Sequence, residues 1–140
     1  MTINRKILFY ICLLILPACG EAKPVLVPAN GKIIFKGKPL TAGSIYFHPA
    51  ATNKYTNDNP SSILMEDGSF SMKTFPYGEG ISPGKYTITL APQLASRITR
   101  PDLSDPSKSK LSITVPEEGM KNLMINVSLS IINNEKAGLK

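Results

Sequence analysis

Short runs of alternating apolar and polar residues, separated by prolines, constrain the fold of this chain more than any other feature. In the clearest run, Leu123, Ile125, Val127 and Leu129 occupy every second position. A period of two is typical of a strand with one buried face. No stretch of ten or more residues shows the 3.6-residue period of an amphipathic helix. The pattern therefore predicts an all-β chain.

Seven runs are predicted as strands, and Ile45 and Phe47 share the inward face of the second. Their ranges are 31–35, 44–48, 61–64, 69–75, 85–91, 111–115 and 123–129. Proline cannot donate to a strand ladder, and the prolines of this region fall between the runs. About 100 residues is the size at which two antiparallel sheets close over one core. We expect a seven-stranded antiparallel β-sandwich of Ig-like size over 29–129, with a small closed barrel as the alternative.

The first twenty residues have the three-part pattern of a secretory signal peptide. Arg5 and Lys6 supply positive charge, 7–16 is an unbroken apolar run of ten, and small residues follow Pro17. A membrane-spanning helix needs ~20 apolar residues, so the run is too short for a permanent anchor helix. The segment is predicted to direct export and to be removed.

Leu16-Pro17-Ala18-Cys19 resembles the lipobox of bacterial lipoproteins. In that motif the cysteine thiol, a strong nucleophile, receives diacylglycerol, and the leader is cut just before it. The resemblance implies a signal peptide over 1–18 and lipidation of Cys19. Pro17 departs from the small residue that is usual at its position.

The alternative is ordinary secretion, with cleavage after Gly20 or Ala22, where small residues also precede the cut. The cysteine count favours lipidation. The other cysteine, Cys12, lies in the leader, so Cys19 would have no partner for an intramolecular disulfide after cleavage. A lone thiol in an oxidising compartment is a liability that acylation removes.

The charge balance argues against nucleic acid as a partner. The whole chain carries a net charge of +6, and without Arg5 and Lys6 it has 14 basic and 10 acidic side chains. This excess is small and scattered along the sequence, whereas a nucleic-acid site gathers basic residues on one face.

The mature chain resembles the carboxypeptidase-regulatory-like, transthyretin-like domain of small bacterial surface lipoproteins. The segments that carry the resemblance are 31–40 (GKIIFKGKPL), 43–47 (GSIYF), 67–70 (DGSF), 83–86 (PGKY), 105–111 (DPSKSKL), Val115 and 122–123 (NL). The resemblance implies a non-enzymatic β-sandwich in the cell envelope. The predicted organisation is a tether over 19–28, the domain over 29–129 and a tail over 130–140.

Gly80-Ile81-Ser82-Pro83-Gly84 matches the G-x-S-x-G pattern of a serine-hydrolase elbow, but we interpret it as a turn. The oxyanion hole uses the backbone N–H of the residue after the serine, and Pro83 has none. Gly37-Lys38 precedes Pro39, where a phosphate-binding loop needs Ser or Thr and then a helix. Neither motif predicts catalysis or a cofactor.

His48 is the only histidine, and the mature chain has too few histidines and cysteines to form a zinc site with it. We interpret it as a half-exposed residue at a strand end. Asp102 and Asp105, or Asn57-Asp58-Asn59, offer oxygen ligands without the spacing of a calcium loop, so no metal site is predicted.

Tyr46, Tyr55 and Tyr77 are candidates for an exposed aromatic surface. Phe35, Phe47, Phe70 and Tyr86 are predicted core residues.

These observations predict a lipid-anchored binding or structural module, with no catalytic residues and no cofactor. The partners are the membrane, through lipid on Cys19, and an envelope protein or polysaccharide. The location is the outer membrane if the cell has one, or otherwise the outer face of the cytoplasmic membrane. An accessory domain for a separate secreted enzyme or transporter is the alternative function.

The candidate recognition surface is the loop over 92–110, because a structureless connection of 19 residues is usually functional or mobile. The alternative is a loop that only packs along the sheet. Shortening it at 94–107 is expected to leave the fold intact. If every strand reverses direction, 36–42, 65–68 and 92–110 gather at the end opposite the tether. The loops 50–60, 76–83 and 116–122 then gather at the tethered end.

Overall fold

A computed structural model describes residues 23–128 and 131–133, and its strands form two sheets. The predicted leader, Cys19 and most of the predicted tail lie outside the described residues. The strands are β1 (Ala29–Phe35), β2 (Lys38–Pro39), β3 (Ser44–Pro49), β4 (Ser61–Ile63), β5 (Ser69–Ser71), β6 (Lys73–Thr74), β7 (Gly78–Glu79), β8 (Gly84–Leu90), β9 (Ser112–Val115), β10 (Met120–Asn126) and β11 (Ile131–Asn133). The all-β prediction is confirmed.

The second sheet is antiparallel throughout, in the order β7-β6-β4-β3-β8-β9. The first sheet has the order β11-β10-β1-β2, and β5 also pairs with β1. Each predicted strand range overlaps at least one observed strand. The prediction did not include β2, β7 and β11, each of two or three residues.

The pairing of β1 with β10 is parallel, which corrects the prediction of a wholly antiparallel fold. The chain passes from β9 in the second sheet to β10 in the first at the turn before Met120. There the backbone N–H of Met120 donates to the carbonyl oxygen of Pro28 at 2.7 Å. Strand β10 therefore starts beside the start of β1 and runs in the same direction.

Gly31 allows these two strands to approach each other. A Cβ at this position would lie 2.0 Å from the carbonyl oxygen of Leu123, its partner on β10. The register also shifts between Ala29 and Gly31. Any side chain would push the two central strands of the first sheet apart, so glycine is a steric requirement here.

The two sheets pack over one hydrophobic core, with Phe47 at its aromatic centre. Its ring centroid lies 6.4 Å from that of Phe70 in the first sheet and 6.0 Å from that of Tyr86 in the second. Ile45 and Phe47 are both 0% exposed, which confirms their predicted inward face. Phe35 is only partly buried against this core.

The segment over 92–110 is not the structureless loop that was predicted. It contains a helix, α1 (Pro92–Arg97), and a 3-10 helix (Pro101–Ser104). Leu94, Ala95 and Leu103 are buried in the common core, at 1%, 0% and 0% exposure. Shortening at 94–107 would remove core side chains, so we no longer expect it to leave the fold intact. Six helical residues are too few to show a helical period in the sequence.

The predicted grouping of loops at the N-terminal end is confirmed by three contacts. The hydroxyl of Tyr55 donates to the carbonyl oxygen of Lys23 at 3.3 Å. Val27 and Ile81 exchange backbone hydrogen bonds of 2.9 and 3.0 Å, and Met120 bonds to Pro28 as described above. Loops 50–60, 76–83 and 116–122 therefore all touch the segment 23–28.

The loops predicted at the opposite end also lie together. Arg97, at the end of α1, donates to the carbonyl oxygens of Thr41 and Ala42, and Gly68 lies against Pro39. We call this region the distal end. Within the described residues, no helix has the length and apolar character needed to cross a membrane.

We expect Phe47→Ala to lower the free energy of unfolding by roughly 3–5 kcal/mol, because it leaves a cavity between the two sheets. The measurement is equilibrium denaturation in urea. Met65→Ala, at a side chain that is 62% exposed, is the control and should change stability by less than about 0.5 kcal/mol. A loss below ~1 kcal/mol for Phe47→Ala would mean that the ring is not in the core.

Candidate functional site

The pairing of four strands builds a surface groove on the outer face of the second sheet. Successive residues of a strand point to opposite faces, so the burial of Ile45 and Phe47 places Ser44 and Tyr46 outside. Tyr46 is paired with Ser61 of β4, and Ser61 with Lys73 of β6. Lys73 in turn pairs with Glu79 of β7, so the paired residues form a row across the sheet.

The groove has a volume of about 660 Å³. Most of its lining consists of side-chain hydroxyls and apolar groups. The residues are Ser44, Tyr46, Ser61, Ser62, Ile63, Met65, Ser69, Phe70, Ser71, Lys73 and Glu79. We call this surface the outer groove.

One wall of the groove comes from a strand of the other sheet. The chain leaves the first sheet after β5 and joins the second at β6, and Met72 lies between them at 0% exposure. The N–H of Met72 donates to the carbonyl oxygen of Ala29, and its own carbonyl accepts from Gly80, both at 2.8 Å. The predicted strand over 69–75 is therefore two short strands in different sheets, and β5 lies beside β4 without pairing to it.

Four hydroxyls of the groove are available to a ligand. Those of Ser44, Tyr46, Ser61 and Ser71 have no hydrogen-bond partner among residues 23–128. In contrast, the hydroxyl of Ser62 accepts from the Ser71 N–H at 3.1 Å and donates to the carbonyl oxygen of Ile63 at 3.0 Å. A hydroxyl both donates and accepts, so the free groups suit an uncharged polar partner such as a peptide backbone.

The charges of the groove form an ion pair. Lys73 Nζ lies 2.6 Å from a carboxylate oxygen of Glu79, and both side chains are about two-thirds exposed. Because no other charged residue lines the groove among the described residues, this pair leaves the groove without net charge. Exposed pairs of this kind contribute little to stability.

The exposed apolar side chains of the described chain are divided between two surfaces. Ile63 and Met65, at 73% and 62% exposure, lie in the outer groove. Val25, Phe75 and Tyr77, at 65%, 92% and 36%, lie at the N-terminal end. Exposed apolar groups that cluster in this way mark contact surfaces more often than scattered ones do.

The motifs weighed in the sequence have structural roles. Ser82 is buried in the turn before β8, and its carbonyl oxygen accepts from the hydroxyl of Tyr86 at 2.7 Å. Gly37 has a φ of +76° in the turn that leads from β1 into β2. Both segments are turns, as predicted.

His48 lies half-buried on β3, where its Nε2 is 2.8 Å from the hydroxyl of Thr89 on β8. Burial lowers its pKa from the ordinary value, and a side-chain hydrogen bond with Asn59 opposes this shift in part. The imidazole is therefore neutral at pH 7 and acts as a bridge between two strands.

The acidic residues weighed as calcium ligands have other partners. Both carboxylate oxygens of Asp102 accept from the Arg100 guanidinium, at 2.8–3.2 Å, and this lowers the pKa of Asp102. Asp105 accepts from the N–H and hydroxyl of Ser107, at 2.9 and 2.7 Å, which lowers its pKa, and it also pairs with Lys108. No cluster of three or more potential metal ligands occurs in the described part of the chain.

The three tyrosines proposed as an aromatic surface are not together. Tyr46 lies in the outer groove, whereas Tyr55 and Tyr77 line a shallow pocket at the N-terminal end. The sequence interpretation missed the groove because it placed recognition in 92–110. One signal in the sequence could have indicated the groove. Ile63 is an apolar residue at an outward-facing position of the predicted strand over 61–64.

Comparisons with protein-family models, with curated proteins and with solved structures find no match to this chain.

The free energy of unfolding should fall as pH decreases below about 6.5, the ordinary pKa of histidine. Because burial lowers the pKa of His48 in the folded chain, the unfolded chain takes up the proton first on acidification. Urea denaturation at about pH 7.5 and pH 5.5 measures the loss. His48→Gln should remove most of it, and an equal loss in this variant would show that other groups are responsible.

Proposed function

We propose that this chain is a lipid-anchored, non-enzymatic binding module of the bacterial cell envelope. In this proposal its two sheets form a transthyretin-like β-sandwich, Cys19 carries the lipid, and the outer groove holds a segment of an envelope protein. The short strands β2, β7 and β11 are additions at the sheet edges. The observation that carries the binding function is the presence of two exposed apolar side chains beside four free hydroxyls in one groove.

The chemistry of the groove favours a protein segment over a polysaccharide. A sugar ring stacks on an exposed aromatic face, but Phe70 is 3% exposed and Tyr46 is half-buried. Ile63 and Met65 offer aliphatic and thioether surface, and methionine is enriched in the cores of protein interfaces. The hydroxyls beside them match the N–H and C=O groups of a peptide chain.

The lack of net charge also bears on the partner. Since Lys73 and Glu79 neutralise each other, the groove does not select a partner by charge. Burial of Ile63 and Met65 would then supply most of the binding free energy, at about 25 cal/mol for each Å² of apolar surface removed from water. The hydroxyls would set the register of the bound segment.

A photo-reactive amino acid at position 63 tests this function in living cells. We expect one protein adduct of defined mass, identified by mass spectrometry, because Ile63 projects into the groove. Thr114, an exposed residue of β9 on the same face of the sheet, is the matched control position and should give no such adduct. Ile63→Asp should weaken capture from a second groove position, Met65, by about tenfold or more, whereas Thr114→Asp should not.

Equal adducts at positions 63 and 114 would contradict binding in the groove, as would adducts with glycan alone. A single stoichiometric adduct with a secreted enzyme or transporter would identify the chain as an accessory domain instead.

A further inference from the structure

The residues that follow the proposed lipid anchor are part of the folded domain. The N–H and the carbonyl oxygen of Val27 both form backbone hydrogen bonds with Ile81, and Val27 is 9% exposed. Four residues earlier, the carbonyl oxygen of Lys23 accepts from Tyr55. Residues 23–28 of the predicted tether over 19–28 are therefore part of the folded domain.

Covalent geometry then limits the distance between the membrane and this end of the domain. Cys19 lies four residues before Lys23, and a fully extended chain spans at most ~3.3–3.6 Å for each residue. The backbone of Lys23 thus lies within about 14 Å of the backbone of Cys19. With lipid on Cys19, the Tyr55 loop lies at the depth of the lipid headgroups or just above them.

Exposed apolar side chains are concentrated at this same end. Phe75, in the turn between β6 and β7, is 92% exposed, Tyr77 is 36% exposed and Val25 is 65% exposed. Tyr77 lines one shallow pocket of about 260 Å³ together with Tyr55 and Pro24, the neighbour of Val25. We call Val25, Tyr55, Phe75 and Tyr77 the aromatic corner.

The composition of this corner fits a bilayer surface. Aromatic side chains are favoured at the membrane–water interface, where the ring enters the acyl boundary and a phenol hydroxyl stays among the headgroups. Lys54 lies with its ammonium 5.4 Å from the centre of the Tyr55 ring, and Lys23 is also exposed, which suits anionic headgroups. Asp58, on the same pocket, is the acidic group of this corner.

We propose that the aromatic corner contacts the bilayer surface next to the lipid anchor, with the side chains of Phe75, Tyr77 and Val25 in the headgroup region. This inference rests on the proposed lipidation of Cys19. Glu117 and Glu118 lie on the turn before Met120, also at the N-terminal end. The domain therefore tilts so that the Phe75 turn faces the lipid and the Glu117 turn faces water.

This contact gives the anchored domain one orientation. The distal end points away from the membrane, and the outer groove runs from the Lys73–Glu79 pair near the bilayer to Met65 on the outward side. Ile63 and Met65 are then accessible to a partner in the surrounding envelope.

Tryptophan fluorescence tests the contact, because the chain has no tryptophan. Phe75→Trp introduces a single reporter into the full-length protein, purified from membranes and reconstituted into vesicles of phosphatidylethanolamine and phosphatidylglycerol. We expect emission at shorter wavelength than for Met65→Trp, at the distal end. Lipid brominated near the headgroup should quench the Phe75→Trp signal about twofold or more over that of Met65→Trp. Val25→Trp provides a second reporter and should behave like Phe75→Trp.

Equal wavelength and equal quenching for the distal and corner reporters would overturn the membrane contact. A blue shift that depends on protein concentration and is insensitive to brominated lipid would overturn it in favour of a second copy covering the corner. Mass spectrometry of the same samples separates the two proposals. Unlipidated Cys19 overturns the anchor and the contact with it, whereas lipidated Cys19 with water-exposed reporters overturns the contact alone.

Discussion

The backbone pairing of Val27 with Ile81 is the interaction on which the functional account depends. It makes the first described residues part of the folded domain, so the proposed anchor at Cys19 lies only a few residues from that domain. A free tether of about ten residues would reach ~33 Å and leave the orientation of the domain open. With the segment after Lys23 held, four residues remain. If Cys19 carries the proposed lipid, the loops that touch 23–28 form the side of the domain that faces the membrane.

The second constraint is the change of sheet at Met72. Its N–H donates to the carbonyl oxygen of Ala29 in β1, and its own carbonyl oxygen accepts from the N–H of Gly80. One buried residue therefore links the two sheets. The change of sheet separates β5 from β6 and leaves β5 beside β4. The outer groove and the turn that exposes Phe75 both follow from this arrangement. The proposed binding surface and the proposed membrane surface thus both follow from one change in strand partner.

The sequence predicted those features that depend on local alternation. The inward face of Ile45 and Phe47 and the core positions of Phe70 and Tyr86 were correct. The turns at Gly37 and Gly80 were also correct, because glycine acts through the dihedral angles of its own residue. Proline was a weaker marker, since Pro39 and Pro49 belong to β2 and β3. The grouping of loops at two ends followed from the same strand ranges.

The missed features depend on partners that are distant in the sequence. Alternation along 69–75 does not indicate which sheet each residue joins. A two-residue strand such as β2 forms only because it pairs with β1. The parallel course of β10 depends on where the turn at Gly119 meets Pro28. The helix α1 is too short to show a period and is stabilised by burying Leu94 and Ala95. The groove could not be predicted because it depends on the register of four strands, and no single run of residues contains that information.

Mass spectrometry of the mature N-terminus decides whether Cys19 is the anchor, on which the proposed orientation and membrane contact both depend. We predict that the membrane-bound protein begins at Cys19 and carries a thioether-linked diacylglyceryl group. Cys19→Ser should lose this mass and either leave the membrane fraction or retain its leader. An unmodified chain beginning at Glu21 or Lys23 would contradict the account.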